Sequence, residues 1–134
     1  MNKKDNLELL PLNFRHEKRF LLKNHFSTWS KLRKLKDTDI NFIISKDSLC
    51  TVSRLKKIRA IAIFIYELQI NPQQAYLLLH CGVGSLEALS ILDAHDIEKR
   101  IGRLERGLNI QTKTKPSLLL IKEWINKAKS ITGG

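Results

Sequence analysis

Residues 78–97, LLHCGVGSLEALSILDAHDI, restate residues 21–40, LLKNHFSTWSKLRKLKDTDI, at an offset of 57 positions. Leu21, Leu22, Leu32, Leu35, Asp39 and Ile40 recur as Leu78, Leu79, Leu89, Leu92, Asp96 and Ile97, while Phe26 falls on Val83 and Trp29 on Leu86. In both copies leucines at helical spacing are broken by short turns, so each reads helix, turn, helix, polar turn, helix. A longer apolar helix follows each copy, over 54–68 and over 117–131. Such a repeat restricts the chain to two copies of one helical unit. They are expected to share one continuous core, because a unit of about 60 residues is small for independent stability.

The individual helices carry their own signals. In NPQQAYLLLH, Asn71 is placed to cap, Pro72 to be the first helical residue, and Gln74 stands three after the cap as in a capping box. In TKPSLLLIKEWINKAKSI, Leu118, Ile121, Ile125 and Ala128 fall on one face, flanked by Leu120, Trp124 and Ile131. In SRLKKIRAIAIFIYEL the inner face is Leu55, Ile58, Ile61, Ala62, Ile65 and Leu68. The later half of that segment is apolar all round, which predicts a central, buried helix. Trp29 and Trp124 sit at core spacing, and no segment alternates with period two. The expected fold class is all-α.

Charge is the second constraint. The 134 residues hold 24 Lys+Arg against 13 Asp+Glu, a formal +11. Residues 1–66 account for +9 of this (15 basic, 6 acidic) and residues 67–134 for +2 (9 basic, 7 acidic). Such an excess favours a polyanionic partner, nucleic acid or an anionic membrane surface. The longest apolar run, AIAIFIY at 60–66, is far short of a membrane span. MNKKDNLELLPLNF lacks a long apolar core and carries acids early, so it is not expected to be a signal peptide. Cys50 and Cys81 do not make a disulfide framework, and free thiols suit a reducing compartment. The expectation is a soluble cytoplasmic protein with no membrane partner.

The layout of Leu77, Leu78, Gly82, Val83, Ser85, Leu89 and Leu92 resembles the helix-hairpin-helix-like units of the C-terminal domain of bacterial RNA polymerase alpha subunits. The paired units, GRLERGLNI after the second, and the closing Trp-bearing helix PSLLLIKEWINKAKSI resemble more closely a bacterial and cyanobacterial domain family of unknown function described as helix-hairpin-helix-like. The resemblance covers roughly residues 12–131. It implies tandem helix-hairpin-helix-like (SAM-like) units in one compact helical domain, and nucleic-acid binding without a known activity. The expected organisation is an N-terminal extension (1–11), two units (about 12–68 and 71–131) and a frayed tail (132–134).

Two kinds of site follow. In a helix-hairpin-helix unit, glycines at Gly82 and Gly84 permit positive φ, and unpaired N–H groups of the next helix, with Ser85, can meet a phosphate. The other reading is a plain corner, in which Gly82 ends one helix and Ser85 caps the next. No Lys or Arg lies between Leu77 and Glu98, and His25, Phe26 and Ser27 replace the glycine segment in the first copy. Both observations favour the corner.

The charge clusters are the stronger candidates. RLKKIR puts Arg54, Lys56, Lys57 and Arg59 in the first turns of the central helix, against its dipole, a conflict that an anion relieves. KLRKLK puts Lys31, Arg33, Lys34 and Lys36 around Leu32 and Leu35. For both, the competing reading is a solvated face. Arg100, Arg103 and Arg106 are interleaved with Glu98 and Glu105, which predicts intrahelical pairing.

His16, His25, His80 and His95 make no metal spacing with the cysteines, and no nucleophile elbow, P-loop or dinucleotide fingerprint occurs. No catalytic residue, cofactor or small-molecule substrate is expected. The reading is a non-enzymatic module contacting nucleic-acid backbone non-specifically through its basic first half. The alternative is a protein–protein adaptor with no nucleic-acid role.

Overall fold

Hydroxyl side chains start four of the helices. Thr28, Thr51, Ser85 and Ser117 each stand in extended backbone and accept a hydrogen bond from the N–H three residues on, of Lys31, Arg54, Ala88 and Leu120. Each thereby satisfies one of the donors a helix start leaves open. The computed structural model describes residues 14–26, 28–46, 49–108 and 116–133, the side chains of Glu105 and Leu108 excepted. The expected extension 1–11, Ser27, and Asn109 and Ile110 of GRLERGLNI lie outside the described residues. Those described form α1 (Arg15–Lys23), α2 (Trp29–Leu32), α3 (Asp37–Lys46), α4 (Val52–Leu68), α5 (Pro72–His80), α6 (Leu86–Ser90), α7 (Ala94–Leu108) and α8 (Leu118–Ile131). There is no strand among them, and the fold is all-α.

The chain divides into two compact units, Met1–Gln73 and Gln74–Gly134, the division falling in the first turn of α5. In the first unit α2 and α3 pack on α4. Leu21, Trp29, Leu32, Ile40, Leu55, Ile58 and Ala62 are its fully buried side chains of note. All six inner residues read from the α4 sequence are buried, and Phe64 joins them. Capped by Thr51, α4 begins at Val52, two residues before the start at 54 that the apolar pattern marked, because capping chemistry rather than hydropathy sets the first turn. In the second unit α6 and α7 pack on α8, around Leu78, Leu89, Ile97, Ile101, Ile121, Trp124 and Ala128. Thr132, in the expected tail, donates back to the Ala128 carbonyl through its hydroxyl at 2.9 Å.

Helix starts repeat along the chain. Arg15 and Pro72, Trp29 and Leu86, and Asp37 and Ala94 open α1 and α5, α2 and α6, and α3 and α7, each pair 57 residues apart. The corner repeats too. The Phe26 N–H donates to the Leu21 carbonyl at 2.9 Å, and the Val83 N–H to the Leu78 carbonyl at 3.0 Å. This is the six-to-one bond of a helix end closed by a left-handed residue. That residue is Gly82 (φ 97°) in the second copy and His25 (φ 68°) in the first. After α7 the register moves to 66, pairing the caps Thr51 and Ser117. The buried residues Leu55 and Ile121, Ile58 and Trp124, Ala62 and Ala128 then correspond.

Candidate nucleic-acid interface

Four cations crowd the first turns of α4, but they do not share a face. At about 100° per residue, Arg54 and Arg59 point to different sides of the helix, with the buried Leu55 and Ile58 between them. Arg54 Nε donates to Glu17 Oε1 of α1 at 2.7 Å, and its guanidinium lies 5.0 Å from the centre of the Phe14 ring. Arg59 Nη1 donates to Asp37 Oδ1 of α3 at 2.9 Å and to the Leu35 carbonyl at 3.1 Å. The hydrogen bond from Arg59, then its charge and that of Lys56, hold the Asp37 carboxyl below its ordinary value. Glu17 is almost fully buried while Arg54 is about a third exposed. Arg54 thus neutralises a carboxylate that water cannot reach, and Glu17 offsets a cation placed at a helix N-terminus. Lys56 and Lys57 are exposed.

The 31–36 segment divides in the same way. Arg33 pairs with Glu67 at 3.3 Å and lies 4.5 Å from the centre of the Tyr66 ring, fastening the end of α2 to α4. Lys31 Nζ donates to the His25 carbonyl at 3.1 Å, at the left-handed corner. Lys34 and Lys36 are exposed, and the Lys36 N–H is received by Asp39 Oδ2 at 2.9 Å, which closes the start of α3. Of the eight residues read as candidates, Arg33, Arg54 and Arg59 hold helices together. Lys34, Lys36, Lys56 and Lys57 stand in water. The partners lie 34, 37 and 22 residues away in sequence, so no local pattern announces them. A further set of cations, which the cluster reading passed over, is exposed on α1: Arg15, Arg19 and Lys23. Its signal was the four-residue spacing in RHEKRFLLK.

At the 82–85 corner two of the backbone donors are used within the turn. The Gly82 and Val83 N–H groups donate to the Leu79 and Leu78 carbonyls, and the Ser85 hydroxyl receives the Ala88 N–H. Gly84 does not adopt the left-handed conformation expected of both glycines; Gly82 alone turns the chain there. A cation does reach this corner. Arg100 Nη1 donates to the Cys81 carbonyl at 3.2 Å, and its Nη2 pairs with Asp96 at 2.9 Å. Among the described side chains of α7, Arg100 pairs with Asp96, one turn before it, and the Glu105 part of the expected pairing lies outside the described residues. The Cys81 thiol donates to the Leu78 carbonyl, and burial pushes it up to about 11. Arg103 and Arg106, with Glu98, Lys99 and Gly102, border an open concavity of about 420 Å³.

Among the described residues no cluster of His, Cys, Asp and Glu is placed to hold a metal ion, and no helix is long and apolar enough to cross a membrane. No curated protein and no solved structure matches the chain. The paired helical units, their cap positions and the closing Trp-bearing helix span the stretch in which a family match is found. Over residues 12–131 the chain matches, and belongs to, the family described as Domain of unknown function (DUF4332).

Proposed function

We propose that the protein is a small non-enzymatic module that holds nucleic-acid backbone without reading bases, through Lys34, Lys36, Lys56 and Lys57. The supporting observation is a division of labour among charges. The acids of the first unit among the described residues are Glu17, Asp37, Asp39 and Glu67, and each is engaged within the fold. None of the four lysine side chains pairs with these acids by a hydrogen bond or ion pair, and Lys56 acts on Asp37 only through its charge. Lysines neutralising phosphates give binding that is tolerant of sequence and strongly dependent on salt. In this reading Arg54, Arg59, Arg33 and Lys31 set the position of the lysines, and Gly82, Gly84 and Ser85 turn the chain. The helix-hairpin-helix-like relationship, a bacterial setting and a cytoplasmic location belong to the same proposal, supported by the repeated corner and the two free buried cysteines.

The test is fluorescence anisotropy with duplex and single-stranded oligonucleotides over a salt series. Four phosphate contacts predict a log–log slope of about −3 to −4, and Lys56→Gln with Lys57→Gln should reduce it by about 1.4–1.8. No binding at high micromolar protein near physiological salt, or a flat salt response, removes the proposal. One observation favours the adaptor reading: Ile91 and Leu119 of the second unit are 84% and 69% exposed. A protein partner retained from nuclease-treated lysate, and lost in Ile91→Ser with Leu119→Ser, would support that reading instead.

A further inference from the structure

The α1 helix carries cations where local rules disfavour them. Arg15, Arg19 and Lys23 are exposed and lie at successive four-residue steps. Like charges at this spacing destabilise a helix, and Arg15 also stands at the N-terminal end, against the dipole. The only acid of α1, Glu17, is turned inward to Arg54 and buried, so it offsets none of this charge at the surface. The fold does not call for the arrangement. In α5, which opens 57 residues later, the same three positions are Pro72, Tyr76 and His80, and the Tyr76 and His80 rings lie 4.0 Å apart.

We infer that the exposed face of α1 is a binding site for a single phosphodiester strand, with Arg15, Arg19 and Lys23 each meeting one phosphate. Residues four apart rise about 6 Å along a helix, close to the spacing of successive phosphates on one strand. Guanidinium groups suit phosphate oxygens because their planar fork donates two parallel bonds. A membrane surface fits less well. Of the apolar residues of α1 that such a helix would insert, Leu21 is fully buried in the protein, Phe20 is half-buried and Leu22 is 38% exposed. The inference rests on the reading of the protein as a backbone binder and adds to it a site on a different helix.

The experiment compares the full chain with two triple variants of equal charge change. One is Arg15→Gln, Arg19→Gln, Lys23→Gln. The other removes exposed lysines of the second unit: Lys99→Gln, Lys122→Gln, Lys129→Gln. Anisotropy is read with a single-stranded and a duplex oligonucleotide over a salt series, and thermal melts accompany each variant. The α1 variant should lose about 2–3 from the salt slope, on the order of a hundredfold in affinity at 0.15 M salt, with a melting temperature equal to or above the parent's. The second-unit variant should lose much less. Equal losses in the two variants mean a diffuse charge effect and overturn the site. An unchanged slope in the α1 variant, with the parent still binding, overturns the site while leaving the four-lysine reading intact. A parent that binds no oligonucleotide but binds phosphatidylserine vesicles overturns both.

Discussion

Substitutions at the two glycines of the 82–85 corner should act in opposite directions. Gly82 has φ 97°, and a Cβ there would stand 3.3 Å from Arg100 Nη1. An L-residue in left-handed conformation costs about 1–2 kcal/mol, and this φ lies beyond the usual left-handed well near 57°. Displacing Arg100 from the Cys81 carbonyl adds about 1 kcal/mol at most, since the guanidinium is the free end of a flexible chain. Reduced freedom of the unfolded chain returns about 0.4–1 kcal/mol. Gly82→Ala should therefore cost up to about 2.5 kcal/mol. Gly84 is outside the left-handed region, and its Cβ would meet nothing within 4 Å, so Gly84→Ala should stabilise by about 0.4–1 kcal/mol. The repeat supplies a third arm. His25 occupies the corresponding position in the first unit at φ 68°, so His25→Gly should gain about 0.5–1 kcal/mol. Urea titrations followed by circular dichroism resolve these differences, since m is about 1–3 kcal/mol/M and the two alanine variants should separate by roughly 1 M in midpoint. A Gly84→Ala midpoint lowered as far as that of Gly82→Ala, or a loss of stability in His25→Gly, would refute the argument.

The ion pairs make further claims. Arg54→Met leaves the Glu17 carboxylate buried and unpaired, and should cost about 3 kcal/mol or more, whereas Glu17→Gln leaves Arg54 able to reach water and should cost about 1 kcal/mol; urea midpoints in the reverse order would contradict this. Folding lowers the Asp37 carboxyl below its ordinary 3.8, so its contribution is complete above that value and lost as pH falls through the lowered one. Asp37→Asn should therefore melt below the parent at neutral pH, with the gap closing as pH falls through the lowered value, and a gap that persists through acid titration would count against the Arg59 pairing. Cys81, with its thiol raised to about 11, and Cys50, 2% exposed, should resist dithionitrobenzoate at pH 8 and react in denaturant. A fast-reacting thiol in the native protein would show that the corner is open.

What the sequence made legible is what is set within a few residues. The buried face of α4 follows from the spacing of Leu55, Ile58, Ile61, Ala62, Ile65 and Leu68, and the buried Trp29 and Trp124 follow from core periodicity. Start chemistry places two helix beginnings, Ser85 as the cap of α6 and Pro72 as the first residue of α5. What remained hidden depends on contacts between distant segments. Arg54 and Arg59 look identical to Lys56 and Lys57 in RLKKIR, and only Glu17 and Asp37, brought in from other helices, separate them. Arg100 escaped notice at the 82–85 corner for the same reason: it is 19 residues from the carbonyl it bonds.

The repeat separates charges that the fold uses from charges it does not. The Glu17–Arg54 pair corresponds to Gln74 and Leu120, and the Asp37–Arg59 pair to Ala94 and Ile125, so in the second unit both members of each pair are gone together. Removing both partners leaves no buried charge behind, which is why such an exchange is compatible with the same packing. These pairs are neutral and contribute nothing to the contrast of +9 against +2 between the two halves. That contrast lies in single exchanges at exposed positions: Lys34 against Ile91, Lys36 against Asp93, Lys57 against Glu123, Arg19 against Tyr76, Lys23 against His80. Lys46 and Lys56 keep their charge, as Arg103 and Lys122. Since one scaffold is built with or without these cations, they are not there for folding, and their common sign in the first unit is what a polyanionic partner would select.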